Sequence, residues 1–354
     1  MRGGPINVAA IVSSFNQSTC VTLLCRELKK QVDELIPDRI SEFSIMIADD
    51  GSEPGQILQL LESLRQMNCE FKLATQNDAG FQLARSRNNA IRCADAELLI
   101  FLDGDCLPER GFVLHHIKRH NEMMPGSVVI GSRKHVPSYE SKFGGAGSVK
   151  EISISKENAT IEQAMLSADP WRGLLGRNFS IRIPQAQSTA PLFDESIYGW
   201  GFEDLDFGIL LLRLGYTFSF QQPAIVTEHI AEASASRNPY INPTCSNVLL
   251  TQANCFYLLE KYRDDESISS MFLEFLIYYY EPFEIDMESG NVFANADLME
   301  RFSNRYDETM RSLRPDDPKG YIKQALERHL LLQKKCLLLK SDLEMHPFIR
   351  ELIA

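Results

Sequence analysis

Several features that would assign a function at once are missing from this sequence of 354 residues. The eight cysteines form no C-x-x-C pair, which argues against a structural zinc site. No G-x-G-x-x-G segment follows a predicted strand and no G-x-x-x-x-G-K-[ST] segment occurs, so a dinucleotide dehydrogenase and a P-loop NTPase are disfavoured. A total of 36 basic and 48 acidic residues gives a formal net charge of −12. This charge disfavours nucleic acid binding, which needs a basic surface.

Long apolar runs are scarce as well. The longest have about six residues, such as the run that starts at Leu98, whereas a membrane-spanning helix needs about twenty. The first residues lead straight into an alternating apolar run without a charged-then-apolar leader, so we expect no signal peptide. Apolar residues make up 44% of the chain and charged residues 24%, as in ordinary globular proteins. We therefore expect a sizeable core, free thiols and a cytoplasmic location.

The first half of the chain alternates short apolar segments with helix-like segments. This alternation predicts βαβ units and an α/β fold, with a mostly parallel sheet flanked by helices. The predicted strands cover residues 6–12, 43–48, 71–75, 97–102 and 128–132. The predicted helices cover residues 18–35, with Ser18 as the cap, 56–67, 82–93 and 109–121.

The second half of the chain changes character. Residues 137–168 are rich in Ser, Lys, Gly and Glu, which predicts a surface excursion and a candidate lid. Strands are expected over 178–183 and 217–220, with a helix over 204–214 between them. After residue 235 the strand signal stops, and residues 246–282 and 319–340 have helical patterns. The sequence thus predicts one domain over residues 1–235 and a helical C-terminal region over 236–354.

Polar residues follow three of the predicted strands, where ligands gather in an open parallel sheet. Residues 13–16 follow the first strand, residues 49–52 (Asp-Asp-Gly-Ser) the second, and residues 103–105 (Asp-Gly-Asp) the fourth. Either acidic segment alone is equally well explained as turn chemistry. Together, each at the end of a buried strand, they favour a site.

Two carboxylates in one cleft repel each other unless a cation neutralises them. Oxygen ligands favour a hard divalent ion such as Mg²⁺ or Mn²⁺. Because a diphosphate is the usual partner of such an ion, we expect a diphosphate ligand held with a divalent metal.

Four segments of the sequence resemble those of inverting family 2 glycosyltransferases with the GT-A fold. In chain order they are S-F-N, D-D-G-S, G-F-Q-L-A-R-S-R-N-N-A and F-L-D-G-D. The segment Y-G-W-G-F-E-D-L-D-F, residues 198–207, resembles the W-G-x-E-D segment of galactosyltransferases and chondroitin-polymerase-type enzymes. The resemblance covers residues 6–235. It implies a GT-A domain with a nucleotide-binding part over 1–132 and an acceptor-side part over 169–235, followed by a helical extension.

The resemblance also implies how a UDP-sugar is held. Phe15, Asn16 and Asp50 are expected to hold the uracil, with Ser14 in the same loop. A carboxylate can accept the imide N–H of uracil, and an aromatic ring can stack on the base. For Phe15, ordinary core packing remains the alternative.

The ribose and the phosphates have further expected partners. Asp103 is expected to hold the ribose. Arg85 or Arg87, at the start of a helix, is expected to pair with phosphate. A solvated helix face is the equally weighted alternative for both arginines.

For the metal, which would be Mn²⁺ or Mg²⁺, the resemblance implies Asp105 and His229 as ligands, with Glu228 as an alternative. A satisfied structural histidine remains the other reading of His229.

The W-G-x-E-D-like segment is expected to carry the chemistry. Asp204 is the implied general base that deprotonates the acceptor hydroxyl, and Glu203 positions the acceptor. Trp200, Tyr198 and Gly201 are expected to contact the sugar or acceptor. The alternatives are a helix N-cap for the aspartate and a core anchor for the tryptophan.

The implied function is metal-dependent, inverting transfer of a hexose or N-acetylhexosamine from a UDP-sugar to an acceptor hydroxyl. Phe202 replaces a glycine of galactosyltransferase-like enzymes on the acceptor side. Residues 174–180 replace a more glycine-rich stretch that borders the donor sugar in those enzymes, so the donor sugar stays open among galactose, N-acetylgalactosamine and glucose. Two alternatives are a retaining polypeptide N-acetylgalactosaminyltransferase-like enzyme, which Asp204 and Asp105 disfavour, and a non-catalytic nucleotide-sugar-binding or scaffold protein. The basic, leucine-rich residues 319–340 suggest a further contact, with a membrane surface or a second subunit.

Overall fold

The computed structural model describes residues 4–67, 70–136, 155–184, 189–229, 243–286, 289, 291–339 and 346–353. The chain divides into two compact units. The catalytic unit consists of Met1–Asp194 and Glu203–Ser234, and the helical unit consists of Glu195–Phe202 and Ala235–Ala354. The short segment Glu195–Phe202 therefore belongs to the helical unit, although its neighbours in the chain belong to the catalytic unit.

The catalytic unit contains one sheet of eight strands, with the order β3-β2-β1-β4-β7-β6-β8-β5. The strands are β1 (Ile6–Ser14), β2 (Ile40–Asp49), β3 (Glu70–Thr75), β4 (Leu98–Leu102), β5 (Cys106–Pro108), β6 (Ser127–Val136), β7 (Asn178–Arg182) and β8 (Thr217–His229). The helices are α1 (Ser18–Asp33), α2 (Pro54–Arg65), α3 (Leu83–Cys93), α4 (Phe112–Glu122), α5 (Ser155–Met165) and α6 (Glu203–Arg213).

The predicted mostly parallel sheet is confirmed. Strand β1 lies between β2 and β4 and pairs with both in parallel, and β2 pairs in parallel with β3. Their carboxyl ends therefore share one edge of the sheet. Strand β7 is the exception inside the sheet, because it runs antiparallel to β4 and to β6.

Both faces of the sheet are buried, as βαβ connections require. Successive side chains of a strand point to opposite faces. Ala10 on β1 accordingly lies in the same apolar cluster as Leu24 of α1, while the next residue, Ile11, lies in a second cluster with Ile91 of α3. This arrangement explains why a central strand such as β4 appears in the sequence as a continuous apolar run.

Two local predictions in the catalytic unit need correction. Helix α1 has Gln17 at its N-cap position, and Ser18 does not cap it. The hydroxyl of Ser18 instead donates to Oε1 of Gln56 on α2, at 2.6 Å, so the side chain bridges two helices. Strand β5 was missed because three residues are too few to show a periodic pattern.

The helical unit contains six helices and a short hairpin in its described residues. The helices are α7 (Cys245–Lys261), α8 (Glu266–Tyr280), α9 (Ala296–Asn304), α10 (Tyr306–Leu313), α11 (Pro318–Leu339) and α12 (Pro347–Ile353). The expected helical stretch 246–282 is two helices, because Asp265 caps α8 by accepting from the amide of Ile268. The expectation of no strands after residue 235 is wrong: β9 (Phe283–Ile285) and β10 (Val292–Ala294) form an antiparallel pair.

The predicted surface excursion over 137–168 is only partly described. Residues 137–154 lie outside the described residues, and the lid remains a prediction. Residues Ser155–Met165 form α5. None of the helices in the described ranges is long and apolar enough to span a membrane.

Candidate active site

The Asp-Asp-Gly-Ser segment after β2 contains one structural aspartate and one that points elsewhere. Asp49 accepts hydrogen bonds from the amide and the hydroxyl of Ser52 and from the hydroxyl of Thr75, so it closes the turn. Asp50 instead accepts from Nε2 of Gln76 at 2.7 Å and from the amide of Gln82 at 3.0 Å. The turn explanation therefore accounts for Asp49, and Asp50 remains the candidate for recognition of the uracil base.

The loop after β1 is tied to that turn. Asn16 has a positive φ of 52°, and its Oδ1 accepts from the amide of Glu53 at the start of α2. The carbonyl of Ser14 accepts from the amide of Asp50 at 2.9 Å. Phe15 between them is half-buried. The structure thus holds Ser14, Phe15 and Asn16 beside Asp50, and their contact with a base stays a prediction.

A buried arginine joins the strand-end and helix-start carboxylates. The side chain of Arg87 on α3 is 1% exposed and forms ion pairs with Asp103 at 2.8 Å and Glu203 at 3.1 Å. Its Nη2 also donates to the carbonyl of Gly176 at 3.1 Å. Burial by itself would lower the pKa of Arg87, but the surrounding carboxylates outweigh burial and raise that pKa. The guanidinium is therefore a permanent cation at the centre of this cluster.

Arg85, the other arginine of this helix considered for phosphate, lies on a different face. It is exposed, and Nη1 contacts Oε1 of Gln82 at 3.4 Å. The helical spacing distinguishes the buried Arg87 from the exposed Arg85. Arg87 is three residues after Ala84 and four before Ile91, which are both buried, so it lies on their face of the helix. The assignment of Arg85 to phosphate remains a prediction.

The acidic pair at the start of α6 lies in an environment that favours protonation. Burial and the charge of Asp204 raise the pKa of Glu203 to about 7, against the opposing effect of Arg87. Burial also raises the pKa of Asp204, although hydrogen bonds from the amides of Gly176 and Leu205 and the charge of Arg87 work against this. A raised carboxyl pKa increases basicity, as a general base requires.

A second cation, Arg177, was missed by the sequence analysis. Its charge opposes the rise in the pKa of Asp204 and of Cys106, so it interacts electrostatically with both residues. Its neighbour Asn178 is buried and donates to the carbonyls of Ser132 and Ala224. The sequence did contain an indication of Arg177. Residues 176–178 form a polar stretch between buried Leu174 and the predicted strand, which places a charged residue where a strand begins.

Buried histidines fix this neighbouring asparagine. Both N–H groups of the Asn178 amide donate to carbonyls, which fixes the orientation of the amide. Its Oδ1 therefore accepts from Nε2 of His116. Nδ1 of His116 then accepts from the hydroxyl of Ser180, which itself accepts from Nε2 of His120. Burial lowers the pKa of His116 to about 4, so the chain of hydrogen bonds stays neutral. It anchors the backbone that carries Gly176 and Arg177.

The predicted metal ligands belong to the ends of two paired strands. Strand β5 runs antiparallel to β8 with Cys106 opposite Glu228. Asp105 directly precedes β5, and His229 is the last residue of β8. Burial raises the pKa of Cys106, and the charges of Asp105, Glu228 and Asp103 raise it further, which indicates a concentration of negative charge. Glu228 forms an ion pair with Arg133, so this alternative ligand is already engaged.

Asp105 is partly exposed, and an oxygen ligand beside other carboxylates fits a divalent cation. The side chain of His229 lies outside what the structure describes. Among the side chains that are described, no group of three or more potential ligands is arranged around a metal position. The ligand set of Asp105 and His229 remains a prediction.

The predicted acceptor residues Tyr198, Trp200 and Gly201 belong to the helical unit. The ring of Trp200 packs edge-to-face against Tyr279 of α8, with 6.1 Å between centroids. Phe202, whose φ of 77° is positive, also contacts the ring of Tyr279. The core-anchor alternative for Trp200 thus has one aromatic contact in its favour, and a role towards an acceptor stays a prediction.

Comparison with known proteins gives this geometry its context. Residues 9–162 match the model of Glycosyl transferase family 2. An "Uncharacterized glycosyltransferase YfnE" from Bacillus subtilis is 29% identical over 75% of this chain and 73% of its own length. A chondroitin synthase from Pasteurella multocida is 26% identical over 60% of this chain, which spans only 24% of that relative.

Two solved structures share the fold. TarS 1-349 from S. aureus has a TM-score of 0.51 at 16% identity and covers 97% of this chain and 86% of its own. The mannosyltransferase PcManGT from Pyrobaculum calidifontis, solved with GDP-Man and Mn²⁺, has a TM-score of 0.51 at 11% identity and covers 96% of this chain and 88% of its own. The predicted GT-A fold is confirmed. Residues 9–162 thus resemble a family 2 glycosyltransferase domain, and the chain is a glycosyltransferase.

Proposed function

We propose that this glycosyltransferase moves a hexose or N-acetylhexosamine from a UDP-sugar to an acceptor hydroxyl, with inversion and with a divalent cation. The observation that carries the proposal is the cluster around Arg87. It brings Asp103, at the nucleotide side, together with Glu203 and its neighbour Asp204, about a hundred positions later in the chain. Donor-binding and catalytic carboxylates at such a short separation fit one transfer site.

The strand-end residues support a uridine nucleotide. Each oxygen of Asp50 accepts at least one hydrogen bond, and a carboxylate has about four acceptor positions, so it can accept an imide N–H as well. Asp103 keeps a third of its side chain exposed while one oxygen binds Arg87. Its second oxygen is thus suited to a ribose hydroxyl.

The cation is proposed for Asp105 and His229, on chemical grounds. The fold relative PcManGT is described with GDP-Man and Mn²⁺, which is compatible with a nucleotide sugar and a divalent ion here. A bound divalent cation stabilises the charge of a departing diphosphate. Asp105 contributes one carboxylate to hold it, and Arg177 adds a fixed positive charge near the same place.

The chemistry proposed for Asp204 is general base catalysis. As the acceptor oxygen attacks the anomeric carbon, its proton passes to Asp204 while the bond from that carbon to the phosphate oxygen breaks and UDP leaves. One displacement inverts the anomeric centre. The amide of Gly176, 2.9 Å from Oδ2, fixes the orientation of the carboxylate and leaves its remaining acceptor positions for the proton.

The experiment that tests the proposal is a donor screen that follows UDP release, with and without Mn²⁺, over UDP-glucose, UDP-galactose and their N-acetylated forms. We expect release with at least one UDP-sugar, dependent on Mn²⁺. The anomeric configuration of the product, determined by NMR, separates inversion from the retaining alternative. Absence of both transfer and donor hydrolysis with every donor would support the non-catalytic alternative.

We also propose that the chain works in the cytoplasm. Cys106 and Cys255 are buried thiols outside any disulfide, which suits a reducing compartment. The exposed face of α11 carries Lys319, Lys323, Lys334 and Lys335. This positive face supports a contact with an anionic surface, which sedimentation with anionic vesicles at low and high salt tests.

A further inference from the structure

The helical unit holds the segment that carries Trp200. Asn254 on α7 is fully buried and contacts this segment at three places. Its Oδ1 accepts from the amide of Tyr198 at 3.2 Å, and its Nδ2 donates to the carbonyls of Gly201 at 3.2 Å and Trp200 at 3.5 Å. Thr251, one turn earlier, also donates to the carbonyl of Trp200, at 3.2 Å. One helix therefore provides the hydrogen bonds that a neighbouring strand would otherwise provide.

The conformation of the segment explains why it needs such support. Gly199, Gly201 and Phe202 all have positive φ, between 77° and 95°. Phenylalanine rarely adopts this conformation, and it persists only where the surroundings enforce it. A Cβ on Gly199 would lie 2.7 Å from Cβ of Leu250, so the backbone lies directly on α7. Without partners on α7, this backbone would have no regular structure to satisfy its polar groups.

A histidine near the C-terminus fixes the orientation of the Asn254 amide. His346 is fully buried, and its Nδ1 accepts from the amide of Phe348 at 3.1 Å. The proton of the neutral ring is therefore on Nε2, which donates to Oδ1 of Asn254 at 2.9 Å. Because Oδ1 then accepts from both His346 and Tyr198, Nδ2 must point towards the carbonyls of residues 200 and 201.

We propose that Asn254 is a positioning residue for the acceptor, through which the C-terminal helical unit sets the geometry of Trp200 and Tyr198. The inference rests on the proposed function, in which this segment contacts the acceptor. Asn254 acts through the backbone of the segment and does not touch the acceptor itself. His346 contributes indirectly, because it orients the amide of Asn254.

The test compares Asn254→Ala with Gln252→Ala on the same helix. Gln252 is also buried and its amide also has two partners, Tyr279 and His329, but neither belongs to residues 198–201. Both variants lose buried hydrogen bonds, so they share any general destabilisation. Thr251→Val, which removes one hydrogen bond at nearly constant shape, is the milder second variant should Asn254→Ala fail to fold.

The readouts are the KM for a p-nitrophenyl glycoside acceptor, the KM for the UDP-sugar donor, and the fluorescence of Trp200 in a Trp171→Phe background, since the chain has two tryptophans. We expect Asn254→Ala to raise the acceptor KM at least about tenfold, with the donor KM changed less than about twofold. Thr251→Val shifts the acceptor KM in the same direction by less. Gln252→Ala leaves both KM values unchanged.

An acceptor KM within twofold of wild type in Asn254→Ala overturns the proposal, as does an equal rise in Gln252→Ala, which would indicate a merely structural role. If the wild-type chain neither transfers nor hydrolyses any UDP-sugar, the proposed function fails. The emission of Trp200 still decides the present inference in that case: an unchanged spectrum in Asn254→Ala shows that α7 does not set the position of this ring.

Discussion

The amide of Gly176 donates a 2.9 Å hydrogen bond to Oδ2 of Asp204. The carbonyl of the same glycine accepts from Arg87. A Cβ at position 176 would lie 2.7 Å from Nη2 of Arg87, so only glycine lets the backbone approach the guanidinium this closely. One backbone unit therefore orients the proposed base and helps to fix the cation that holds Asp103 and Glu203.

The first prediction concerns the stability of this cluster. Arg87→Met leaves Glu203 and Asp103 without their cation, and removing one partner of a buried ion pair costs about 3–5 kcal/mol. Since Asp103 is one-third exposed, we expect a loss near the lower end of that range. Urea unfolding measures the loss. The control is Arg85→Met, an exposed position on the same helix, where we expect a change within about 0.5 kcal/mol. Equal losses in the two variants would contradict the central place of Arg87.

The contrast between Arg87 and Arg85 also shows how much of the candidate site the sequence predicts. The strand-end carboxylates and the acidic pair of α6 are visible in the sequence because they follow apolar runs or begin a helical pattern. The position of Arg87 was within reach too, through its spacing from Ala84 and Ile91. Its ion pair with Glu203, 116 positions away, was not, because no local pattern encodes which distant carboxylate a buried cation meets.

The same limit applies to the helical unit. Asn254 appears in the sequence as one polar residue in an apolar helix, and nothing local connects it to residues 198–201 or to His346. The antiparallel β7 and the three-residue strands were likewise hidden, because pairing direction depends on tertiary contacts and such strands are too short for a periodic signal.

The second prediction is a dependence of activity on pH. The pKa of Glu203 is about 7, raised by burial and by Asp204. As pH falls through 7, Glu203 takes up a proton and its ion pair with Arg87 loses its negative partner. We therefore expect kcat/KM to fall on the acid side of pH 7. In Glu203→Gln, which is neutral at every pH, the activity is lower and the limb near pH 7 is missing. The same limb in wild type and variant would assign it to another group.

The third prediction concerns the nucleotide. Asp50→Ala removes the carboxylate proposed to accept the imide N–H, so UDP affinity falls, by about tenfold for a charge-assisted hydrogen bond. Isothermal calorimetry measures the change. Gln76→Ala is the matched control, because it removes one hydrogen bond to Asp50 and leaves the carboxylate in place. Loss of UDP affinity in both variants to the same extent would reduce Asp50 to a structural role.

The fourth prediction concerns the metal. With Asp105 as a ligand, EDTA abolishes transfer and added Mn²⁺ restores it. Asp105→Asn keeps the size of the side chain but removes its charge, so we expect Mn²⁺-dependent UDP binding to weaken. The measurement is UDP affinity by calorimetry with and without Mn²⁺. Full activity in EDTA would rule out the metal-dependent mechanism.

The central claim is that Asp204 is the base, and the most direct measurement is turnover together with UDP affinity in Asp204→Asn. Asparagine keeps an oxygen for the amide of Gly176, while Asp50, Asp103 and Asp105 are untouched, so the fold and donor binding survive. Loss of a general base typically costs about 10²–10⁴-fold. We predict turnover reduced at least about a hundredfold with UDP affinity within a few-fold of wild type. A folded Asp204→Asn protein that transfers sugar at nearly the wild-type rate would contradict the account and leave Glu203 and Asp206 as the next candidates.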